Sequence, residues 1–598
     1  MLRRTLRWGP VLVVLLYLAG CATYGEGMDE TIQQVEQGKY QQASQSLEEN
    51  LDSSGDDELL YHLELGSIKH LSGDFQASNK HLEEAHNLAD SLRSKQAGDY
   101  LAAAMTNPRK MAYMGNDVER VYINYSKSLN YLMLAQQAGD ADARSDFLEK
   151  AKVELRRLDN TLSSISFEKG NYKSVKDKEE KTFAKLMDLF QKFQGNWLDQ
   201  DWLVFRDDAY VRYLAGALYE KSGDLDDARI AYQKAAELYE QGYTKQYYLQ
   251  GGMAERAWFD TIRMMRSSGA WEGEWQRFAA DKLSQEWRDK LEDYGPDSAQ
   301  LLVVQHLGMV PQRKEMNLHM TALPGQQALR LKPRLGGTSQ EQADKLGWFF
   351  LLYGDKGVMN MLTSFSDGGL QGVAESFSSK TVTLGPAWEL AEQLRVPQAI
   401  GNSGIRVTVP YYSPLRTACN GSHLEVNGKR VGTFRQAENI YQLFLQNQLL
   451  NASSDLQAAM ARATLKNVVG AEAGAALGGF WGRLGGKVLA SGTSAAETRN
   501  WLTLPYEVRL VRVPLEPGSH IVSITTLTES GNRIAHRQHN VEVEAGDIRV
   551  LVERTMDPTQ QRPDRKAGVK PATAQQRSQQ ARHTTTGSYS NLARVHEQ

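Results

Sequence analysis

A glycine-led turn that recurs through the first half of the chain limits its folding options more than any other feature. Gly38-Lys39-Tyr40-Gln41-Gln42-Ala43 is echoed by Gly73-Asp74-Phe75, Gly139-Asp140 and Gly223-Asp224-Leu225-Asp226-Asp227-Ala228. The first two copies lie 35 residues apart, close to the ~34-residue period of a two-helix repeat. One such unit cannot bury its apolar face alone, so the copies are expected to stack.

The clearest copy runs from Ala209 to Tyr239. With Ala209 as position one, Gly216 falls at eight, Tyr219 at eleven, Ala228 at twenty, Tyr232 at twenty-four and Ala235 at twenty-seven. This is the tetratricopeptide pattern. Small residues at Gly216 and Ala228 let the two helices approach, Tyr219 and Tyr232 fill the space around that contact, and Gly223 permits the turn. A second copy keeps Gly66, Leu82 and Ala85; a third keeps only Leu148 and Ala151. A tetratricopeptide-like (TPR-like) solenoid is therefore expected over 21–295, with non-repeat helices such as Lys173–Phe193 between copies. By resemblance to the motif, the groove-lining positions of the best repeat are Tyr210, Tyr213, Ala217, Glu220 and Lys221, the candidate partner-binding residues. The competing reading packs Tyr210 and Tyr213 against the neighbouring repeat.

Residues 1–20 read as a lipoprotein signal peptide. Arg3, Arg4 and Arg7 precede a short apolar stretch, Val11 to Leu18, too short for a stable span. Leu18-Ala19-Gly20-Cys21 matches the bacterial lipobox, which makes Cys21 the lipidation site. Ala22 replaces the aspartate that retains such proteins at the inner membrane. The expected address is the outer membrane of a Gram-negative cell, facing the periplasm. Removing the leader takes three arginines and no acids, moving the net charge from −3 to −6, which disfavours nucleic acid as a partner. With Cys21 lipidated, Cys419 has no partner for a disulfide within the chain.

After Pro296 the texture changes, and 296–556 reads as a mixed domain of helices and a small antiparallel β-sandwich. Leu301–Gln305, Glu315–Met320 and Ile405–Pro410 read as strands, and Leu424–Val431 as a hairpin turning at Asn427-Gly428. A helical insertion is expected at 339–394, and two helices at Gln436–Asn451 and Asp455–Val469. Short alternating strands fill Val508 to Arg554, and the sandwich would draw its early strands from Leu301 and Val407. The tail, 557–598, has seven basic residues against three acids and few large apolar ones; it is expected to be disordered.

A glycine ladder, Gly470, Gly474, Gly478, Gly482 and Gly486, marks a Gly-rich helix expected at 469–489. Each glycine costs a helix about 1 kcal/mol relative to alanine. Packing against the preceding helix, a flexible loop, and membrane insertion or self-association all remain open readings.

No catalytic or phosphate-binding motif is present. His536 and His539, three apart in a strand, should point to opposite faces and read as surface residues rather than metal ligands. Cys419 has no activating neighbour, and the acid pairs Asp199/Asp201 and Asp207/Asp208 sit where helix caps are expected. No enzyme activity, cofactor or metal is expected.

The landmarks resemble a family of proteobacterial tetratricopeptide-repeat lipoproteins. The resemblance rests on Glu119-Arg120-Val121, Leu129-Asn130-Tyr131-Leu132, Val153-Glu154-Leu155-Arg156-Arg157, Ala209 to Gly216, Gly308 to Pro311, Arg499-Asn500-Trp501, Leu504-Pro505 and Pro517 to His520. It implies architecture and address and supplies no activity. The chain departs from the pattern in its basic tail and longer middle insertion. The expectation is thus an α+β multidomain lipoprotein acting as a non-enzymatic scaffold for unidentified envelope proteins in assembly or polymer export. The alternative is a ligand- or carbohydrate-binding protein using the sandwich, with a pocket near Trp501, Tyr411 or Tyr412.

Overall fold

Helix hairpins form the N-terminal half, and in two of them a glycine lets the helices close. In the computed structural model, which describes residues 24–96, 105, 107–168, 178–193, 207–295, 298–353, 378–472 and 495–560, these are α1 (Tyr24–Glu36) with α2 (Tyr40–Asn50), α3 (Glu58–Leu71) with α4 (Phe75–Gln96), α5 (Asp117–Gln137) with α6 (Ala141–Glu168), and α8 (Ala209–Lys221) with α9 (Leu225–Leu238). Helix α7 (Lys178–Phe190) lies between the last two hairpins in sequence, and α10 (Met253–Ser268) packs on α9.

Gly38, Gly73 and Gly223 hold φ of 73°, 83° and 81°, the left-handed conformation that stops one helix and starts the next. A Cβ on Gly216 would sit 2.6 Å from Tyr232 Cδ1, and one on Gly66 would sit 2.9 Å from Leu82 Cδ2. Both pairs are sixteen residues apart, so the two hairpins use the same contact. The degenerate copy puts buried Leu132 and Leu148 at that offset, and Ala85, Ala151 and Ala235 are fully buried.

The C-terminal half forms three four-stranded sheets. The first has the order β12 (Ile548–Thr555), β1 (Ala299–Leu307), β9 (Glu507–Leu515), β8 (Arg435–Glu438). The second has the order β11 (Arg533–Val543), β10 (Gly518–Thr528), β6 (Cys419–Val426), β7 (Lys429–Thr433). These two enclose a core of Leu301, Val303, Val511, Val522, Ile524 and Leu424, the sandwich read from the alternating strands. The other face of the first sheet, through Leu302, Val304, Val508, Leu510, Ile548 and Val550, joins the core of the helical half. Strand β1 is thus buried along its whole length, which is why its centre, Leu301 to Val304, is a continuous apolar run.

Several expectations need correction. Val407 does not join the sandwich: β5 (Ile405–Tyr412) pairs with β2 (Arg313–Leu323) in a third sheet of order β4 (Lys380–Thr383), β3 (Ala328–Pro333), β2, β5. The sandwich is not wholly antiparallel, because β1 and β12 run parallel. The insertion 339–394 is not all helical. After α11 (Ser339–Tyr353) it supplies edge strand β4 before the short helix α12 (Ala387–Gln393).

Residues 435–438 are a strand, and the two helices expected after it are one, α13 (Ile440–Glu472). Asn451 to Asp455 contains no glycine or proline to break it. Helix α7, drawn from within the repeat region, packs with the third sheet and α13 through Phe183, Leu186 and Phe190. Gly470 lies in the last turn of α13. Gly474, Gly478, Gly482 and Gly486 lie outside the described residues, as do Cys21 and nearly all of the basic tail.

Candidate functional site

Strand geometry brings the first sheet flat against the first helices of the hairpins, and polar groups trapped there must be paired. The segment before β9 has no regular structure, so its buried N–H groups need acceptors. Glu64 on α3 accepts from Leu502 N (2.6 Å), Thr503 N (3.2 Å), Thr503 Oγ1 (2.6 Å) and Tyr24 OH (2.9 Å). Glu119, in the capping box of α5, accepts from Asn116 N, Tyr113 OH and Trp501 N. The Trp501 indole donates to Ser67 Oγ at 2.8 Å. Burial pushes the Glu64 carboxyl up to about 7, against the pull of those hydrogen bonds. It raises Glu119 as well.

A second cluster centres on Arg512 of β9. Its guanidinium donates to Glu220 Oε1, Tyr232 OH and Gln300 Oε1, each at 2.8 Å. Arg263 donates to Glu220 at 2.7 Å and to Asp260 at 2.9 Å, and Arg256 grips Asp260 at 2.6 and 2.8 Å. Burial alone would raise both carboxyls. Arg263 and Arg512 outweigh it at Glu220, and Arg256, Arg512 and Arg263 do so at Asp260, holding both below the usual carboxylate range.

The third cluster is acidic and aromatic. Asp208 caps α8 through Val211 N (2.9 Å), while Glu438 at the end of β8 accepts from Asn439 N (2.8 Å) and from Tyr243 OH. The two carboxyl groups act on each other, Asp208 disfavouring charge on Glu438. Burial raises Asp208 to about 6 and lifts Glu438 well above the ordinary range. Beside them Tyr125 OH meets Tyr210 OH at 2.8 Å and His306 Nε2 at 2.7 Å, and burial keeps His306 neutral.

The groove residues expected from the repeat pattern all lie in this seam. Tyr210, Tyr213 and Ala217 are buried. Glu220 holds Arg512, and Lys221 Nζ meets Asp547 Oδ1 at 2.7 Å and Ile548 O at 2.9 Å. Tyr210 and Tyr213 pack against neighbouring helices, through Tyr125 of α5 and Asp260 of α10, while Glu220 and Lys221 meet the chain's own sheet, so these positions are not left open as a groove. Gln136 of α5 completes the contact: its side-chain amide pairs with Val550 N (2.8 Å) and O (2.9 Å), as a neighbouring strand would.

Trp501, Tyr411 and Tyr412 are packed in the core and line neither of two clefts at the helical end. One cleft, of about 260 Å³, is bounded by Tyr24, Met28, Asp57, Arg109 and Arg499. The other, of about 460 Å³, is bounded by Glu48, Glu49, Asp52 and Tyr61. His536 meets Thr525, whereas His539 meets Glu553 of the facing sheet, so the two point to opposite faces. Burial raises the Cys419 thiol to about 11, away from nucleophilic chemistry. Asp208 is a helix cap, and Asp207 pairs with Arg212; Asp199 and Asp201 lie outside the described residues.

Sequence reasoning missed Glu64, Glu119, Glu438 and Arg512. A signal for Arg512 was an arginine at 509 and another at 512 inside a strand that is otherwise apolar after Glu507. It also missed Tyr248, which is 68% exposed while its backbone holds φ of 55°, an uncommon state for a bulky residue. Its loop is fixed to β8 by Gln250 N donating to Gln436 Oε1 at 3.0 Å.

Among the described residues no helix is long and apolar enough to cross a membrane. No family model matches the chain, and neither a curated protein nor a solved structure matches it.

Proposed function

We propose that this chain is an outer-membrane lipoprotein, anchored through Cys21, that works as a non-enzymatic scaffold for envelope proteins. In this reading the hairpins are TPR-like and their inner face serves the chain itself. The observation that carries it is the seam. The buried carboxyl groups displaced from the ordinary range, Glu64, Asp208, Glu438 and the acids around Arg512, fasten helices to sheet and line neither cleft. Buried ion networks of this kind join parts rather than turn over substrate.

Partners would then dock on outward surfaces. Tyr248 is the best anchor, because an exposed aromatic on a fixed loop loses little freedom on binding. The test is a pull-down from solubilised envelopes with the lipidated chain and with Tyr248→Ala. A specific co-purifying protein, lost or weakened in Tyr248→Ala, supports the reading. Recovery of the bait alone at several salt concentrations contradicts it. Labelled palmitate should enter the wild type and not Cys21→Ser, which should leave the membrane fraction.

A further inference from the structure

The second hairpin brings two imidazoles face to face. Gly66 has no side chain, so α4 closes on α3 until His81 Cβ stands 3.6 Å from where a Gly66 Cβ would be. His62 lies one turn before Gly66 on the same face of α3. The result is a His62 Nδ1 to His81 Nδ1 separation of 3.1 Å, with ring centroids 5.3 Å apart. Both rings are half-buried and reachable from solvent. Two ring nitrogens facing at this distance need something between their lone pairs. In the free protein that is the proton of one Nδ1–H tautomer.

We propose that His62 and His81 form a binding site for a divalent transition-metal ion of the zinc and copper class, ligated through both Nδ1 atoms. Metal–imidazole bonds of 2.0–2.1 Å at the tetrahedral angle place two nitrogens about 3.3 Å apart. The pair therefore opens by only a few tenths of an ångström to admit the ion. Burial lowers the basicity of both rings, that of His81 to about 4, so both are neutral, the state that ligates. As the ion enters, the bridging proton passes through solvent to Nε2 of the same ring, and no net proton is released.

Among the described residues no three ligand side chains are already gathered, so the imidazoles are the preformed half of the shell. Glu58, four residues before His62, and Glu84, three after His81, share their helix faces, and both act electrostatically on His62. Either can turn in beside water to complete the shell. The 460 Å³ cleft of Glu48, Glu49 and Asp52 opens at Tyr61, whose ring touches both histidines, and it draws cations toward the pair. Lys69 and Lys80 oppose the site, since both disfavour positive charge at His81. Imidazole suits copper and zinc, and Cu²⁺ heads the affinity order for such ligands.

The test is Cu²⁺ titration of the tag-free mature chain, followed by electron paramagnetic resonance. One ion per chain with splitting from two imidazole nitrogens is expected. His62→Asn and His81→Asn should each abolish the two-nitrogen signature and weaken binding at least tenfold. Zn²⁺ should raise the melting temperature of the wild type and of neither variant, a comparison that holds even where a variant is less stable. Wild-type binding no tighter than that of the His62→Asn/His81→Asn double variant would overturn the proposal, as would an intact signature in either single variant.

Discussion

Replacing Glu220 with glutamine is expected to destabilise the protein more than replacing Arg512 with methionine, although the two residues are bonded to each other. The buried cluster holds three guanidinium groups, Arg256, Arg263 and Arg512, against two carboxylates, Glu220 and Asp260. It carries one excess positive charge. Glu220→Gln leaves three cations facing Asp260 alone, and an uncompensated buried charge costs about 3–5 kcal/mol. Arg512→Met leaves two cations against two anions. It costs mainly the hydrogen bonds to Gln300 and Tyr232, about 1–3 kcal/mol. The difference, about 2 kcal/mol, is roughly a 30-fold change in the folding equilibrium. Urea unfolding of the mature chain at neutral pH, followed by far-ultraviolet circular dichroism, measures both. Arg512→Met costing as much as Glu220→Gln, or Glu220→Gln costing under about 1 kcal/mol, would refute the charge count.

Gly216→Ala and Gly66→Ala should each lose about 1–3 kcal/mol, because the new Cβ would overlap Tyr232 and Leu82; a neutral result in thermal melts would mean the hairpins do not close on these contacts. Glu64 keeps in the folded chain a proton that the unfolded chain has released by pH 7. Its contribution therefore falls as pH rises from the ordinary carboxylate range to about 7, by about 3 kcal/mol at most. Urea midpoints from pH 4 to 8 should show that decline, and Glu64→Gln should flatten it; an unchanged slope would count against a raised Glu64. Asp208→Asn removes a carboxyl that burial raises to about 6, so stability should decline less between pH 4 and 6 in this variant than in the wild type. A steeper decline would contradict the carboxyl pair.

The helix hairpins were legible because their contact is local: Gly216 and Tyr232, or Gly66 and Leu82, lie sixteen residues apart on one short stretch of chain. The sandwich strands from Val508 onward were legible by alternation, as was the Asn427-Gly428 turn. What could not be read was which layer covers which. The parallel pairing of β1 with β12 joins Gln300 to Ile548 across nearly the whole C-terminal half, and no local pattern records it. The same holds for the inner face of the repeats. A Tyr210 or Lys221 that lines an open groove and one that is covered have the same spacing, and only the distant partners, Tyr125 on a neighbouring helix and Asp547 beside the sheet, tell them apart. Strand β4 escaped because four residues are too few to show a period. Glu64 and Glu438 escaped because a buried carboxylate in a helix or strand looks, in sequence, like a solvated one.

The most direct test of the central claim, that the inner face of the helical half is closed by the chain's own sheet, is zero-length cross-linking of the native protein. Lys221 Nζ lies 2.7 Å from Asp547 Oδ1, whereas Lys150 and Asp146, 2.6 Å apart on the exposed face of α6, provide an internal control. The account predicts that carbodiimide joins Lys221 to Asp547 within one chain, seen as a linked peptide by mass spectrometry. Formation of the Lys150–Asp146 link without any Lys221–Asp547 link would contradict it.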